Sequence, residues 1–196
     1  MSTLIIDIET SGLPKRKGYG QGNYDPKLIK YYENARIIEL AYNIIDDENN
    51  ILHSFDSLII PDGFDITNTQ FHGITSEECN MSGKLMTDVF EIISNDINKY
   101  NVKIIVSHNI AFDVNILLSE CYRYNNLLSK KIINCKKICT MLIGQKCMNL
   151  SKWPKLTHLY KYFYGNLPKQ EHRAKSDMEY CMKCYIKIKM NYILKL

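Results

Sequence analysis

The sequence contains no apolar run approaching the roughly 20 residues that cross a bilayer. No membrane span is therefore expected. Repeats and low-complexity linkers are missing too. That leaves 196 residues to form one domain, 1–196, with a substantial core. Cysteine does not follow a secreted pattern: there are seven, an odd number, with no framework of paired spacings. The N-terminus enters an apolar stretch almost at once, so no secretory leader is visible. These absences point to reduced thiols in an intracellular protein, cytoplasmic or nuclear.

Acid is scarce in one part of the chain. Residues 123–196 hold sixteen Lys and Arg against three Asp and Glu, a net of +13. Residues 1–122 hold nine against eighteen, a net of −9. A cation-binding acidic half joined to a basic half fits a protein that handles phosphate backbones. An AT-rich coding sequence enriches Lys, Asn, Ile and Tyr as well, and that reading carries equal weight.

Five side chains stand out against this background. Asp7 and Glu9 lie in Leu4-Ile5-Ile6-Asp7-Ile8-Glu9. Residues two apart on a strand share a face, so the two acids project together while Leu4, Ile6 and Ile8 fill the other side. Paired acids repel each other and resist desolvation, and a divalent cation offsets both costs. Carboxylate oxygens suit Mg²⁺ or Mn²⁺. Two such ions roughly 3.5–4 Å apart activate water and stabilise the leaving oxygen of a phosphodiester. His172 and Asp177 are five residues apart, about 140° around a helix, and would not share a helical face. His172 is therefore expected in a loop just before a helix, with Asp177 about one turn inside. An imidazole changes charge near neutral pH, which suits a general base. Asp113 follows the apolar run 102–107 and is expected at the start of a helix.

These residues lie in three segments that resemble the motifs of a known family. Asp7-Ile8-Glu9-Thr10-Ser11-Gly12-Leu13, His108-Asn109-Ile110-Ala111-Phe112-Asp113 and His172-Arg173-Ala174-Lys175-Ser176-Asp177 are similar, in that order, to the three motifs of the histidine subclass of DEDD 3′–5′ exonucleases, the DnaQ-like group. Phe71-His72-Gly73-Ile74-Thr75 resembles a segment between the first two. The resemblance runs from about Thr3 to Tyr185. It implies an α/β, ribonuclease H-like fold: a five-stranded mixed sheet of order 3-2-1-4-5 flanked by helices. It implies that Asp7, Glu9, Asp113 and Asp177 hold two Mg²⁺ or Mn²⁺ ions and that His172 is the general base. It further implies that Leu13 wedges against the terminal base and that the backbone around Thr10, with Glu9, meets the 3′-hydroxyl. Asn109 and Phe112 would lie beside the substrate, and His72 near it. The expected substrate is a single-stranded DNA or RNA 3′ end, released as nucleoside 5′-monophosphates. No polymerase module is present, so proofreading would need a polymerase or other protein partner.

Two positions depart from the family. Ser11 replaces the usual threonine. Residues 14–35 form an insertion that carries Lys15, Arg16, Lys17, Tyr19, Tyr24, Lys27, Lys30, Tyr31 and Tyr32. Interleaved cations and aromatics suit single-strand binding, and a plain surface insertion is the equal alternative.

Apolar and β-branched runs predict strands near 3–8, 36–45, 51–59, 102–107 and 132–138, with a polar turn at Asp46–Asn50. Helices are expected near 87–100, after Asp113, and near 139–146, 155–164 and 173–190. Competing functional readings remain. A protein could keep the fold and bind nucleic acid, or act as a scaffold, without cutting; loss of a ligand would favour it, and all five side chains are present. Cys181 and Cys184, with Cys135 and Cys139, have zinc-like spacing, but i, i+3 on a helix is also core spacing. His53, His158 and His108 read as structural or solvent-facing. Trp153 either stacks on a base or packs.

Overall fold

The computed structural model describes residues 1–18, 22–169 and 172–192. Its centre is β1 (Ser2–Thr10), an Ile-rich strand flanked on both sides. β2 (Ile37–Ile45) runs antiparallel to it, and β3 (Ile51–Leu58) antiparallel to β2. On the other side β4 (Val102–Ser107) and β5 (Lys136–Cys139) continue in parallel. The order is β3-β2-β1-β4-β5, the mixed sheet that the resemblance implies.

Alternation along β1 assigns its two faces. Leu4, Ile6 and Ile8 join Leu40, Tyr42 and Ile44 in the larger core. Helix α3 (Met86–Lys99) covers them with Val89, Phe90, Ile93 and Ile97, an i, i+3/i+4 stripe. Helix α4 (Ile110–Arg123) adds Val114, Leu117, Leu118 and Cys121. The opposite face, with Ile5, Ala41, Ile45 and Val106, is covered by α8 (Ala174–Tyr192) through Ala174, Met178, Cys181, Met182 and Tyr185. Asp7 and Glu9 share that second face, at the end where α8 begins.

The β2–β3 hairpin closes at Asp46, whose Oδ1 accepts the backbone N–H of Glu48 at 2.9 Å and of Asn50 at 2.8 Å. Between β3 and α3 lie two short helices that the sequence pattern did not reveal, α1 (Thr69–His72) and α2 (Ser76–Ser82). The expected strand at 132–138 is a correction. Residues Leu128–Asn134 form helix α5, and β5 starts only at Lys136. Leu128, Ser129 and Ile132 are buried, an i, i+1, i+4 pattern that one helical face seats together and that a strand would split between its two faces. Helices α6 (Thr140–Cys147) and α7 (Leu156–Tyr164) then lead to α8. No helix among the described residues is long and apolar enough to cross a membrane.

The zinc reading fails. All seven cysteines are free, and among the described residues no cysteine belongs to a cluster able to hold a metal. Cys181 and Cys184 are buried in two different apolar clusters, as small core residues.

Candidate active site

β1 delivers Asp7 and Glu9 side by side on the face that α8 crosses. The first turn of α8 brings Asp177 to meet them. One carboxylate oxygen from each of Asp7, Glu9 and Asp177 lies within 4.8 Å of the others. Among the described residues this is the cluster able to hold a metal ion.

Asp113 reaches the same place from the other side. β4 ends at the fully buried Ser107, and the chain turns through Asn109, at φ 69°, into α4. A left-handed residue makes this turn tight, and asparagine tolerates it better than most. Asp113 then falls in the first turn of α4, buried. Ser107 Oγ donates to its Oδ2 at 2.5 Å. Its carboxylate is oriented by this bond and stands outside the 4.8 Å group, yet close enough to Asp7 to repel it.

The electrostatics of all four acids point one way. Burial raises Asp7 well above the usual carboxylate range, and Asp113, Asp177, Glu9 and Glu39 add repulsion. Glu9 is pushed up to about 8, by burial first and then by Asp177 and Glu39. Asp113 rises to about 7 through burial, although the Ser107 hydroxyl opposes this. Burial also raises Asp177, while neighbouring His172 lowers it. A buried cluster of carboxylates, whose charged forms are disfavoured chiefly by burial, has the donor chemistry that a hard divalent cation needs.

Glu39 was not singled out from the sequence. It sits on β2 directly opposite Glu9 and is buried among apolar neighbours. Arg173 grips it from two nitrogens, with Nε at 3.0 Å and Nη2 at 2.8 Å from Oε1. The other oxygen, Oε2, accepts the backbone N–H of Ala174 at 2.8 Å, which caps the start of α8. This clamp fixes the two residues after His172. His172 itself is exposed and left-handed, at φ 48°. That backbone state costs about 1–2 kcal/mol for a residue with a Cβ. It persists because the neighbouring clamp holds the chain. His172 thus lies in a loop before α8, with Asp177 one turn inside it.

The residues assigned to substrate contact divide. Leu13, four residues after Glu9, is 61% exposed. Asn109 is exposed and Phe112 half-buried at the start of α4. Thr10 is buried, and its hydroxyl donates to Gly12 O at 2.7 Å to shape the turn under Leu13. Gly12 permits that turn, because a Cβ there would come within 2.6 Å of Asn34 O. His72 is 5% exposed and already occupied. Its Nδ1 accepts the Ile74 N–H at 3.0 Å, so Nε2 carries the proton and donates to Thr67 O at 3.1 Å. No ring nitrogen remains for a substrate; His72 instead fixes the end of α1, on which Phe71 is exposed.

His108 is likewise structural. Its Nε2 donates to Pro154 O at 3.0 Å, and Nδ1 meets the Thr140 hydroxyl at 3.0 Å. Burial drops it to about 4, so it is neutral at physiological pH. It ties the end of β4 to the loop that carries Trp153, which is 66% exposed.

Comparison with known proteins bears on this geometry. The RNase_T family profile, described as Exonuclease, matches residues 4–185. No curated protein sequence matches. Among solved structures, Escherichia coli Exonuclease I in complex with a dA16 oligonucleotide superposes with a TM-score of 0.72 at 18% identity, covering 98% of this chain and 41% of that one. The zinc-bound form of the same enzyme with single-stranded DNA gives 0.73 at 19% identity, with coverages of 98% and 41%. A product-bound structure of exonuclease I gives 0.69 at 18%, with coverages of 96% and 43%. The chain thus spans about two-fifths of the length of the structures it matches.

Proposed function

Since the chain belongs to the RNase_T exonuclease family, we propose that it removes nucleotides stepwise from the 3′ end of a single-stranded nucleic acid. The observation that carries this reading is the meeting of Asp7, Glu9 and Asp177 within 4.8 Å, from elements 170 residues apart in sequence, with Asp113 buried alongside. No packing requirement explains four acids gathered at one end of a strand otherwise rich in Ile.

Asp7, Glu9, Asp113 and Asp177 would hold two Mg²⁺ or Mn²⁺ ions. When bound, such ions supply positive charge to the scissile phosphate and make water easier to deprotonate. The chain's own groups do the rest. His172, exposed on its loop, takes the proton of the attacking water. Water oxygen bonds to phosphorus, the bond to the 3′-oxygen breaks, that oxygen takes a proton from solvent to become the new terminal hydroxyl, and His172 returns its proton to solvent. Ser107 orients Asp113 by its hydrogen bond. The Glu39–Arg173 clamp keeps His172 and Asp177 at their stations. Leu13, Phe112 and Asn109 flank the splayed terminal nucleotide, and the turn around Thr10 meets its 3′-hydroxyl.

An Escherichia coli Exonuclease I structure holds a DNA oligonucleotide, which supports single-stranded DNA as the first substrate to try. RNA has the same phosphodiester and is the competing polymer. The test is cleavage of 3′- and 5′-labelled DNA and RNA strands with Mg²⁺, Mn²⁺ or EDTA, beside Asp7→Ala. Stepwise, metal-dependent loss from the 3′ end, absent in the variant, is expected. Inert strands of both kinds, with folded protein and metal present, would overturn the reading.

A further inference from the structure

The acidic site must accept a polyanion, so positive charge has to come from elsewhere along the strand's path. Of the nine Lys and Arg in residues 1–122, five fall between 15 and 30: Lys15, Arg16, Lys17, Lys27 and Lys30. An AT-rich composition enriches lysine everywhere and does not explain this clustering in the acidic half. None of the five makes an ion pair with another described residue. The segment's Glu33 is engaged by Arg123 at 3.0 Å, which leaves Asp25 as its other carboxylate.

The segment is built as well as charged. Its base is pinned where β1 ends, by Ser11 N–H to Arg36 O at 2.8 Å and Lys15 N–H to Tyr31 O at 2.8 Å. Arg36 is in turn held by buried Glu120 of α4 at 2.6 Å. Tyr24 and Tyr31 stack with ring centres 3.6 Å apart and lean on the larger core. Lys17 sits 5.4 Å over the Tyr24 ring and Lys30 sits 5.1 Å over the Tyr31 ring. Lys15 follows Glu9 by six residues, so it lies within about 20 Å of the acids even if the chain is fully extended. Leu13, exposed, stands between them. Tyr19 lies outside the described residues.

We infer that Lys15, Arg16, Lys17, Lys27 and Lys30 form a binding surface for the phosphates of the strand upstream of the terminal nucleotide. The ligand class is a single-stranded polynucleotide backbone, read by charge and not by base. The inference rests on the exonuclease reading for the strand's direction. The charge itself binds whether or not the site cuts.

The experiment compares the full chain with a Lys15→Gln, Arg16→Gln, Lys17→Gln variant and a lysine-to-arginine control at 15 and 17. Anisotropy in Ca²⁺ reads binding of 5′-labelled oligothymidylates of about 20 and about four nucleotides, and Mg²⁺ reads their cleavage. A nucleoside 5′-phosphate aryl ester, which has no strand, reports the acidic site alone. The glutamine variant should bind the long strand about tenfold more weakly, with a salt dependence shallower by about 2 in log–log slope. Its hydrolysis of the aryl ester should match wild type, and the arginine control should keep long-strand affinity. Unchanged long-strand affinity and salt slope in the glutamine variant overturn the surface while leaving the exonuclease reading intact. Wild type that binds the long strand in a segment-dependent way yet cleaves nothing supports the surface and defeats the exonuclease reading.

Discussion

Glu9 and Asp113 are raised to about 8 and about 7 in the folded chain. The folded state therefore holds protons that the unfolded chain has released between roughly pH 4 and 8. Stability from these groups is full below that window and is lost as pH rises through it. Without metal, wild type should lose Tm relative to Glu9→Gln between pH 5 and pH 8.5. Mg²⁺ should restore more Tm at the higher pH, because binding needs the deprotonated acids. Melting curves in EDTA and in Mg²⁺ check both; a metal-free difference that does not move with pH contradicts the assignment. Glu39 gives a second residue-scale prediction. Glu39→Gln keeps an acceptor for the Ala174 N–H but weakens the grip on Arg173. Turnover should fall about 10- to 100-fold with KM nearly unchanged, the behaviour of a group that orients others. A variant that loses only thermal stability would show the clamp to be structural alone.

At the scale of elements, β2, β3 and α3 are tied by a polar triad whose Tyr42 and Asp96 are buried and whose His53 is half-buried. Tyr42 of β2 donates to Asp96 of α3 at 2.5 Å, and His53 of β3 approaches the same carboxylate at 3.1 Å. Tyr42→Phe should cost about 1–3 kcal/mol, because Asp96 is left short of a donor. Chemical denaturation checks this, and a cost near zero would mean that water replaces the hydroxyl. β1, β2 and β4 were legible as apolar, β-branched runs, and α3 and α4 because their apolar residues repeat at three-to-four. α5 was not: Ile132 and Ile133 look like a β-branched run, and only the tertiary seat of Leu128 and Ile132 makes the segment helical. The four acids and His172 were legible because spaced motifs carry them. Glu39 was not, since it lies within Ile-Ile-Glu-Leu-Ala and its partner Arg173 is 134 residues away. The trace it leaves in sequence is one carboxylate in the middle of a wholly buried strand.

For the whole molecule, the charge division and the fold combine. The acids meet at the strand ends, while basic residues crowd the later helices and the 15–30 segment. Trp153, the sole tryptophan, stands exposed on a loop that His108 ties to the start of the second acidic motif. Its emission should therefore be that of a hydrated indole. A strand entering the site should quench it, and Trp153→Phe should abolish the signal without loss of fold. Titration with oligothymidylate in Ca²⁺ measures this. An unchanged emission at saturating strand would place the path elsewhere.

Helix α8 closes the site last in the order of synthesis. A nascent chain that has completed β1 through β5 already carries Asp7, Glu9 and Asp113, but it has neither His172 nor Asp177. The sheet face formed by Ile5, Ala41, Ile45 and Val106 is also still uncovered. Completion of the acid cluster and burial of that face arrive together, when α8 docks and Glu39 captures Arg173. On the proposed exonuclease reading, the acids of β1 and α4 thus wait on the ribosome without their partners until α8 has emerged.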